Sequence, residues 1–142
     1  GKSGIISSKK EGDLATPKGT FELGMLYYRK NNNQPLKCKI KKRIIKKKMG
    51  WCNDSRSKKY NKEISFPFKY GAEKLYRKDK IYDLFINIKY NFSPVIKEKG
   101  SAIFLHITDD KYKPTKGCVA IAKKDFLKIL PLINNKTKIS IG

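Results

Sequence analysis

The chain has few of the residues from which metal centres and membrane-spanning helices are built. Its single histidine, its three cysteines without a Cys-x-x-Cys pair, and the acidic pair Asp109 and Asp110 form no recognisable metal ligand set. We therefore predict no metal and no cofactor. No apolar run approaches the ~20 residues that a membrane-spanning helix needs. The chain begins with neither an initiator methionine nor a signal-type apolar stretch, which fits a mature or truncated form and leaves the compartment open.

Acidic residues are also scarce, since 12 Asp and Glu stand against 34 Lys and Arg, giving a formal net charge of +22. A surface of clustered Lys and Arg binds nucleic acid by releasing counterions from its phosphates. Here the excess is mostly Lys, scattered along the whole chain together with many Ile, Asn and Tyr, which is as typical of a compositional bias as of a binding surface. Nucleic acid therefore stays an alternative partner. An anionic envelope polymer or membrane surface is equally compatible with the charge.

The size and composition indicate one folded domain over residues 1–142, which we expect to be a monomer. The 39% hydrophobic and 11% aromatic fractions are those of a chain that buries a core. Cys38 and Cys52 could form a disulfide, but the sequence does not give their geometry. We favour the alternative, in which both are free and half-buried.

The hydrophobic pattern predicts a mainly β architecture with one short helix near the C-terminus. Gly and Pro interrupt the first half too often for helices of normal length. Residues 41–48, the densest basic block, are expected to form a solvated edge or loop. The helix is predicted from the spacing of apolar residues after Asp125, with Pro131 shortening or bending it. Strands are predicted over residues 21–28, 80–90, 101–107, 117–122 and 137–141.

The pair most capable of chemistry is His106, at the end of one predicted strand, and Cys118, at the start of the next. Neighbouring strands joined by a loop of about ten residues can bring an imidazole beside a thiol. Such an imidazole lowers the thiol pKa and produces the thiolate that attacks carbonyls, so we expect Cys118 to be alkylated faster at pH 7 than a free thiol. Gly117 leaves room for its own N–H and that of Cys118 to face an oxyanion. The alternative is a structural histidine and an inert buried cysteine.

Two segments, Gly-Ser-Ala-Ile-Phe-Leu-His at 100–106 and Pro-Thr-Lys-Gly-Cys-Val-Ala at 114–120, resemble the active-site region of the L,D-transpeptidase catalytic domain, the YkuD-like family. The resemblance extends over nearly the whole chain in the expected order. Residues 10–13 and 16–21 are similar to the entry hairpin of the family, and residues 136–141 to its terminal strand. Further segments match the branch with a long insert between hairpin and active site, namely residues 50–54, 60–61, 73–75 and 82–83.

The resemblance implies a β-sandwich that transfers the acyl group of a peptidoglycan stem peptide outside the cytoplasmic membrane, in the periplasm or cell envelope. It implies Cys118 as nucleophile, His106 as base, and the Gly117 and Cys118 N–H groups as oxyanion donors, with the Thr115 hydroxyl as helper. The thioester at Cys118 would be resolved by an amine of a second diaminopimelate residue, giving a 3→3 cross-link. It also implies that one or more leading strands of the family domain precede Gly1.

The sequence departs from the family at two positions and leaves several alternatives open. Many relatives have Ser at the position of Thr115 and Arg two residues after the cysteine, where this chain has Ala120. The choice of acceptor is therefore open, and an L,D-carboxypeptidase that uses water is an alternative. A non-catalytic basic binding module is another. Trp51 either lines the substrate groove or packs in the core, and Glu73 is expected to hold the insert in place.

Overall fold

The computed structural model describes residues 1–32, 35–108 and 111–142, and most of its regular structure is β-sheet. Asp109 and Asp110, the acidic pair considered above as metal ligands, lie outside the described residues. The helix is α1 (Lys123–Ile129). The strands are β1 (Ile5–Ile6), β2 (Thr16–Pro17), β3 (Gly19–Tyr28), β4 (Lys42–Ile44), β5 (Met49–Cys52), β6 (Glu63–Ser65), β7 (Ala72–Lys74), β8 (Leu84–Ile88), β9 (Phe104–Thr108), β10 (Val119–Ala122) and β11 (Lys138–Ile141). The prediction of a mainly β, sandwich-type fold with a short C-terminal helix is confirmed.

The main sheet has the strand order β10-β9-β8-β3-β11 in the described part of the chain. Strands β9 and β10 run parallel, while β8 is antiparallel to both β9 and β3. The first half of β3 pairs with β11, and its second half pairs with the edge strand β4. All three residues of β4 are exposed, which confirms that the basic block forms a solvated edge. The sheet places β9 and β10 side by side at one edge.

Both faces of the main sheet are covered, so β8 is buried on both sides. Side chains that alternate along β8 enter two different cores: Leu84 and Ile86 face one, and Phe85 faces the other. We call the first the helix-side core, because Phe126 and Leu130 of the C-terminal helical segment close it. The second is the insert-side core, which contains Trp51 and Cys118 among others. The strand predicted over residues 80–90 is present as β8, which is shorter than predicted and fully buried.

The long insert forms a small sheet of its own, with the order β6-β5-β7. Trp51 of β5 attaches this sheet to the main one, because its indole meets the Phe104 ring edge-on with centroids 5.1 Å apart. Such aromatic pairs add about 1 kcal/mol beyond the burial of their area. The insert thereby covers the face of the main sheet from which the Phe104 side chain projects.

Helix α1 follows β10 directly and carries Asp125 in its first turn, as predicted. It ends at Ile129, where a 3₁₀ turn over Leu130–Leu132 contains Pro131. A proline cannot donate the next helical hydrogen bond, so the predicted shortening at Pro131 is confirmed. No helix in residues 1–32, 35–108 and 111–142 has the length and apolar character needed to cross a membrane.

The three cysteines are free. The prediction that Cys38 and Cys52 do not pair is confirmed. Cys38 is half-buried as expected, but Cys52 is fully buried in β5 rather than half-buried.

Candidate active site

Cys118 and His106 lie on neighbouring parallel strands and face the same side of the main sheet. Ala120 of β10 is directly opposite His106 of β9. Cys118 stands two residues before Ala120, and side chains two residues apart on a strand share a face. Both side chains are nearly buried, with 8% of Cys118 and 4% of His106 exposed. The structure thus brings the two predicted residues to one face, offset by one side-chain position along the strands.

The Cys118 sulfur is held by backbone groups of the segment that enters β9. Its Sγ donates to the carbonyl oxygen of Ala102 at 3.2 Å and accepts from the N–H of Phe104 at 3.4 Å. Ala102 has a positive φ of 54°, which is uncommon for a residue with a side chain. This backbone conformation presents one acceptor and one donor to the same sulfur. The thiol is therefore fixed in position.

Burial raises the pKa of the Cys118 thiol to about 12, and the nearby charge of Glu73 adds to this effect. The N–H of Phe104 and the hydroxyl of Tyr82 act in the opposite direction, because both can donate to the thiolate. This raised pKa is the opposite of the low thiol pKa expected from the sequence, and the rate of alkylation at pH 7 stays a prediction.

His106 is held as a neutral imidazole with a defined tautomer. Its Nδ1 lies 2.8 Å from the carbonyl oxygen of Ile107. Because a carbonyl can only accept, Nδ1 carries the proton and Nε2 carries the lone pair. Burial lowers the pKa of His106, and this outweighs the opposing effect of the Ile107 carbonyl. The imidazole can therefore accept a proton at Nε2 at neutral pH.

The buried Tyr82 and the half-buried Glu73 complete the polar surroundings of the thiol, a role that the sequence did not indicate. The Tyr82 hydroxyl donates a hydrogen bond to Glu73 Oε1. The Tyr82 ring stands edge-on to His106, with centroids 5.5 Å apart. Burial raises the pKa of Glu73, and raises that of Tyr82 well above its usual value. Both residues lie in segments that carry the family resemblance, which was the signal available in the sequence.

The turn before Cys118 requires glycine at position 117. Gly117 has a φ of +136°, and a Cβ placed there would lie 2.8 Å from the carbonyl oxygen of Ala15. The Thr115 hydroxyl donates to the Cys118 carbonyl at 2.6 Å and accepts from the Gly117 N–H at 3.3 Å. Thr115 therefore stabilises the turn that presents the sulfur.

The comparison with family models shows the family of the chain. The model of the L,D-transpeptidase catalytic domain, YkuD, matches residues 1–141. The chain belongs to the YkuD family. Its fold, activity class and general substrate are those of an L,D-transpeptidase-type enzyme domain that acts on peptidoglycan. Comparison with curated proteins and with solved structures gave no match.

Trp51 of this YkuD domain lies in the insert-side core, with 3% of its surface exposed. Its indole N–H donates to Asn61 Oδ1 at 2.9 Å, and the same oxygen accepts from the N–H of Ala102 at 3.0 Å. Ala102 in turn supplies the carbonyl that receives the Cys118 thiol. This placement favours packing over substrate contact as the role of Trp51, and it connects the insert to the backbone that positions the nucleophile.

A partly buried ion pair supports the glycine turn from the other side. Lys9 Nζ lies 2.7 Å from Asp13 Oδ1, and the Lys9 side chain is 4% exposed. The same Nζ is 3.5 Å from the place where a Cβ of Gly117 would lie.

Among the described residues, no group of three or more His, Cys, Asp or Glu side chains could hold a metal ion.

Proposed function

We propose that this YkuD domain transfers the acyl group of a peptidoglycan stem peptide, with Cys118 as nucleophile and His106 as base. The observation that carries the proposal is the neutral imidazole of His106, oriented by the Ile107 carbonyl, on the same sheet face as Cys118. An imidazole in this state accepts a proton at Nε2 and later returns it, which is what a thiol nucleophile requires.

The first half-reaction forms a thioester. His106 Nε2 takes the thiol proton, and the sulfur attacks the carbonyl carbon of the bond between diaminopimelate and the terminal D-Ala. The C–N bond breaks, the D-Ala amine takes the proton from the imidazolium, and the acyl group stays on Cys118. In the second half-reaction an amine of another stem peptide gives a proton to His106 and attacks the thioester. The C–S bond then breaks, the sulfur recovers a proton, and a 3→3 cross-link results.

The N–H groups of Gly117 and Cys118 are proposed to stabilise the oxyanion in both steps. In the free protein the Gly117 N–H donates to Thr115 Oγ1 over 3.3 Å, a long and weak bond that an oxyanion can replace. The 2.6 Å bond from Thr115 to the Cys118 carbonyl keeps the turn in place meanwhile. Thr115 therefore acts as a positioning residue for the nucleophile.

The acceptor distinguishes a transpeptidase from an L,D-carboxypeptidase, which uses the same thioester with water. Ala120 lies directly opposite His106 and brings no charge to this position. We infer that recognition of an acceptor amine, where it occurs, comes from other residues. We further propose that residues 1–142 act as one monomeric domain on the extracytoplasmic side, where the charge of +22 attracts it to anionic envelope polymers.

The proposal is tested by chromatography of the products formed from disaccharide-tetrapeptides. Wild type and Cys38→Ala, a control that removes a half-buried free thiol, should both release D-Ala. Cys118→Ala should release none while keeping the circular dichroism of the wild type. Cross-linked dimers identify a transpeptidase, and a free tripeptide alone identifies a carboxypeptidase. Release of D-Ala by Cys118→Ala would refute the proposal. Salt-sensitive binding of an anionic polymer by the wild type, without release of D-Ala, would favour a binding module.

A further inference from the structure

Glu73, Tyr82 and Cys118 form a chain of polar groups, of which the two half-reactions described above use only Cys118. Tyr82 Oη donates to Glu73 Oε1, and Tyr82 packs with Cys118 in the insert-side core, where its hydroxyl lowers the pKa of the thiol. A phenol has one hydroxyl proton and therefore one strong donation to make. In the free protein the Glu73 carboxylate receives it. The Cys118 thiolate, once formed, is a competing acceptor for the same proton.

Glu73 lies between solvent and the thiol. Its side chain is 28% exposed, whereas Cys118 is 8% exposed and Tyr82 is 4% exposed. Glu73 contacts Tyr82 Oη and Arg77 Nη1 through its Oε1. A ligand arriving from solvent can therefore meet the carboxylate at Oε2 without displacing Tyr82.

The cation nearest to Glu73 is already engaged elsewhere. Arg77 makes two hydrogen bonds to Asp79, of 2.8 Å from Nε and 2.5 Å from Nη2, while its Nη1 is 4.0 Å from Glu73. Arg77 therefore offsets the Glu73 charge only in part, and this charge still acts on Cys118, where it opposes formation of a thiolate.

We propose, on the basis of the function proposed above, that Glu73 is the binding site for an ammonium group of the substrate and that its occupation activates Cys118. An ammonium paired with Glu73 cancels the charge that opposes the thiolate and weakens the carboxylate as an acceptor. The Tyr82 hydroxyl then donates its hydrogen bond to the Cys118 sulfur instead of to Glu73. The side-chain amine of the diamino acid in the stem peptide supplies such an ammonium. Tyr82 is then a catalytic residue, because it donates to the reacting sulfur. Glu73 binds the ammonium group and positions the Tyr82 hydroxyl.

Several other charged or titratable groups act on Glu73, Tyr82 or Cys118. They lie near the N-terminus, in the insert and in the turn before Cys118, so a change of pH alters the charge of more than one group. Those acting on Glu73, Tyr82 or Cys118 are Arg77, Lys116, Glu11 and the Gly1 amino group, and His106 contacts the Tyr82 ring. The test therefore uses substitutions at a fixed pH as well as pH profiles.

The first experiment measures alkylation of Cys118 by iodoacetamide, read by peptide mass spectrometry so that Cys38 and Cys52 are followed separately. Glu73→Gln should raise the Cys118 rate about tenfold at pH 7, which corresponds to a fall of about one unit in the thiol pKa. Glu73→Gln combined with Tyr82→Phe should gain less than Glu73→Gln alone. The pH profile of Glu73→Gln should move to lower pH while alkylation of Cys52 stays unchanged, because a general loosening of the fold would expose both thiols.

Matched controls are present in the same molecule. Tyr27, in the same core, donates to Glu63 over 2.9 Å, and Glu63 also accepts two hydrogen bonds from Arg43. Tyr27→Phe and Glu63→Gln remove another tyrosine–carboxylate bond and should change the Cys118 rate less than twofold. Alkylation of the fully buried Cys52 reports any opening of the insert and should stay constant. An unchanged or slower Cys118 rate in Glu73→Gln, with Cys52 unaffected, would overturn the inference.

The second experiment measures thioester formation with two tetrapeptides that differ only in the side-chain amine of the third residue, free in one and N-acetylated in the other. Wild type should acylate at least about tenfold faster with the free amine, consistent with about 1.4 kcal/mol of coupling. In Glu73→Gln the ratio should fall to about one. An unchanged ratio in Glu73→Gln would overturn the ammonium site. No acylation of wild type by either peptide would refute the proposed function and this site, while the alkylation series would still decide the coupling of Glu73 to Cys118.

Discussion

His106 lies opposite Ala120 in the register of β9 and β10, so its imidazole is one side-chain position along the sheet from Cys118. The resting thiol is consequently held by the backbone at Ala102 and Phe104, and Tyr82 packs edge-on against the imidazole. Burial raises the pKa of the thiol and lowers that of the imidazole, so it favours the neutral form of both groups. Proton transfer between them is therefore a step of the reaction and not a property of the free protein.

Removing the proposed base should slow acylation strongly. His106→Ala should reduce the rate of thioester formation about 10²- to 10⁴-fold, the range usual for general acid–base catalysis. In wild type the rate requires neutral His106, whose pKa is lowered by burial. The rate should therefore remain level down to the ordinary imidazole pKa of about 6.5 and decline only below it. A decline centred above pH 7, or equal rates in His106→Ala and wild type, would exclude this role.

The glycine turn can be tested by comparing two glycines with positive φ. Gly117→Ala should destabilise the fold by about 2–4 kcal/mol and abolish acylation, since it combines strain with a 2.8 Å contact to the Ala15 carbonyl. Gly12→Ala is the control, because Gly12 has a φ of +78° and open space around its Cβ position. It should lose only about 1 kcal/mol. Urea unfolding measures both, and equal losses would show that the contact with Ala15 is unimportant.

Asn61 is expected to be the most sensitive residue of the insert. Its Oδ1 accepts from Trp51 and Ala102, and its Nδ2 donates to the carbonyls of Tyr90 and Asn91. Asn61→Ala leaves several buried groups unpaired and should destabilise the fold by about 3 kcal/mol or more. It should also slow acylation, because the Ala102 carbonyl that holds the thiol is released. Normal acylation by a folded Asn61→Ala variant would contradict the link between insert and nucleophile.

The Lys9–Asp13 pair should make stability depend on acid. Burial tends to raise the pKa of Asp13, but hydrogen bonds from Lys10 N–H, Lys9 and Ala15 N–H outweigh it and lower the pKa. A lowered carboxyl pKa gives stability that is present above the unfolded value of about 3.9 and is lost as pH falls below it. Asp13→Asn should therefore lose about 2–4 kcal/mol at pH 7, leaving Lys9 buried and unpaired, and should lose less at pH 3.

The control for this pair is Glu22→Gln, because Glu22 and Lys89 are 3.8 Å apart with both side chains largely exposed. It should change stability by less than about 1 kcal/mol at either pH. Thermal or urea unfolding at the two pH values gives both comparisons. A difference between wild type and Asp13→Asn that is the same at pH 3 and pH 7 would show that the Asp13 charge contributes nothing.

Much of the fold follows from local patterns in the sequence. The terminal strand, the helix with Asp125 in its first turn and its end near Pro131 all depend on neighbouring residues, and each was predictable. The burial of β8 on both faces was not, because it depends on an insert that folds back over the sheet from far along the chain. Periodicity describes one strand, and it does not indicate what covers its second face.

The site was predictable in its parts but not in its electrostatics. His106 and Cys118 were identifiable as residue types at a suitable spacing, and the parallel pairing of their strands places them on one face. The raised pKa of Cys118 was not predictable, because it results from burial beneath the insert and from Glu73, which is 45 residues away in sequence. Tyr82 gave no signal of its own, since its role depends on which carboxylate and which thiol it meets.

Intact-protein mass spectrometry tests most directly whether Cys118 carries the acyl group. After incubation with a disaccharide-tetrapeptide, wild type should gain the mass of the substrate less D-Ala, and fragmentation should place this mass on Cys118. Cys118→Ala, folded as wild type, should gain nothing. An adduct that persists in Cys118→Ala, or no adduct and no D-Ala release from folded wild type, would contradict the account.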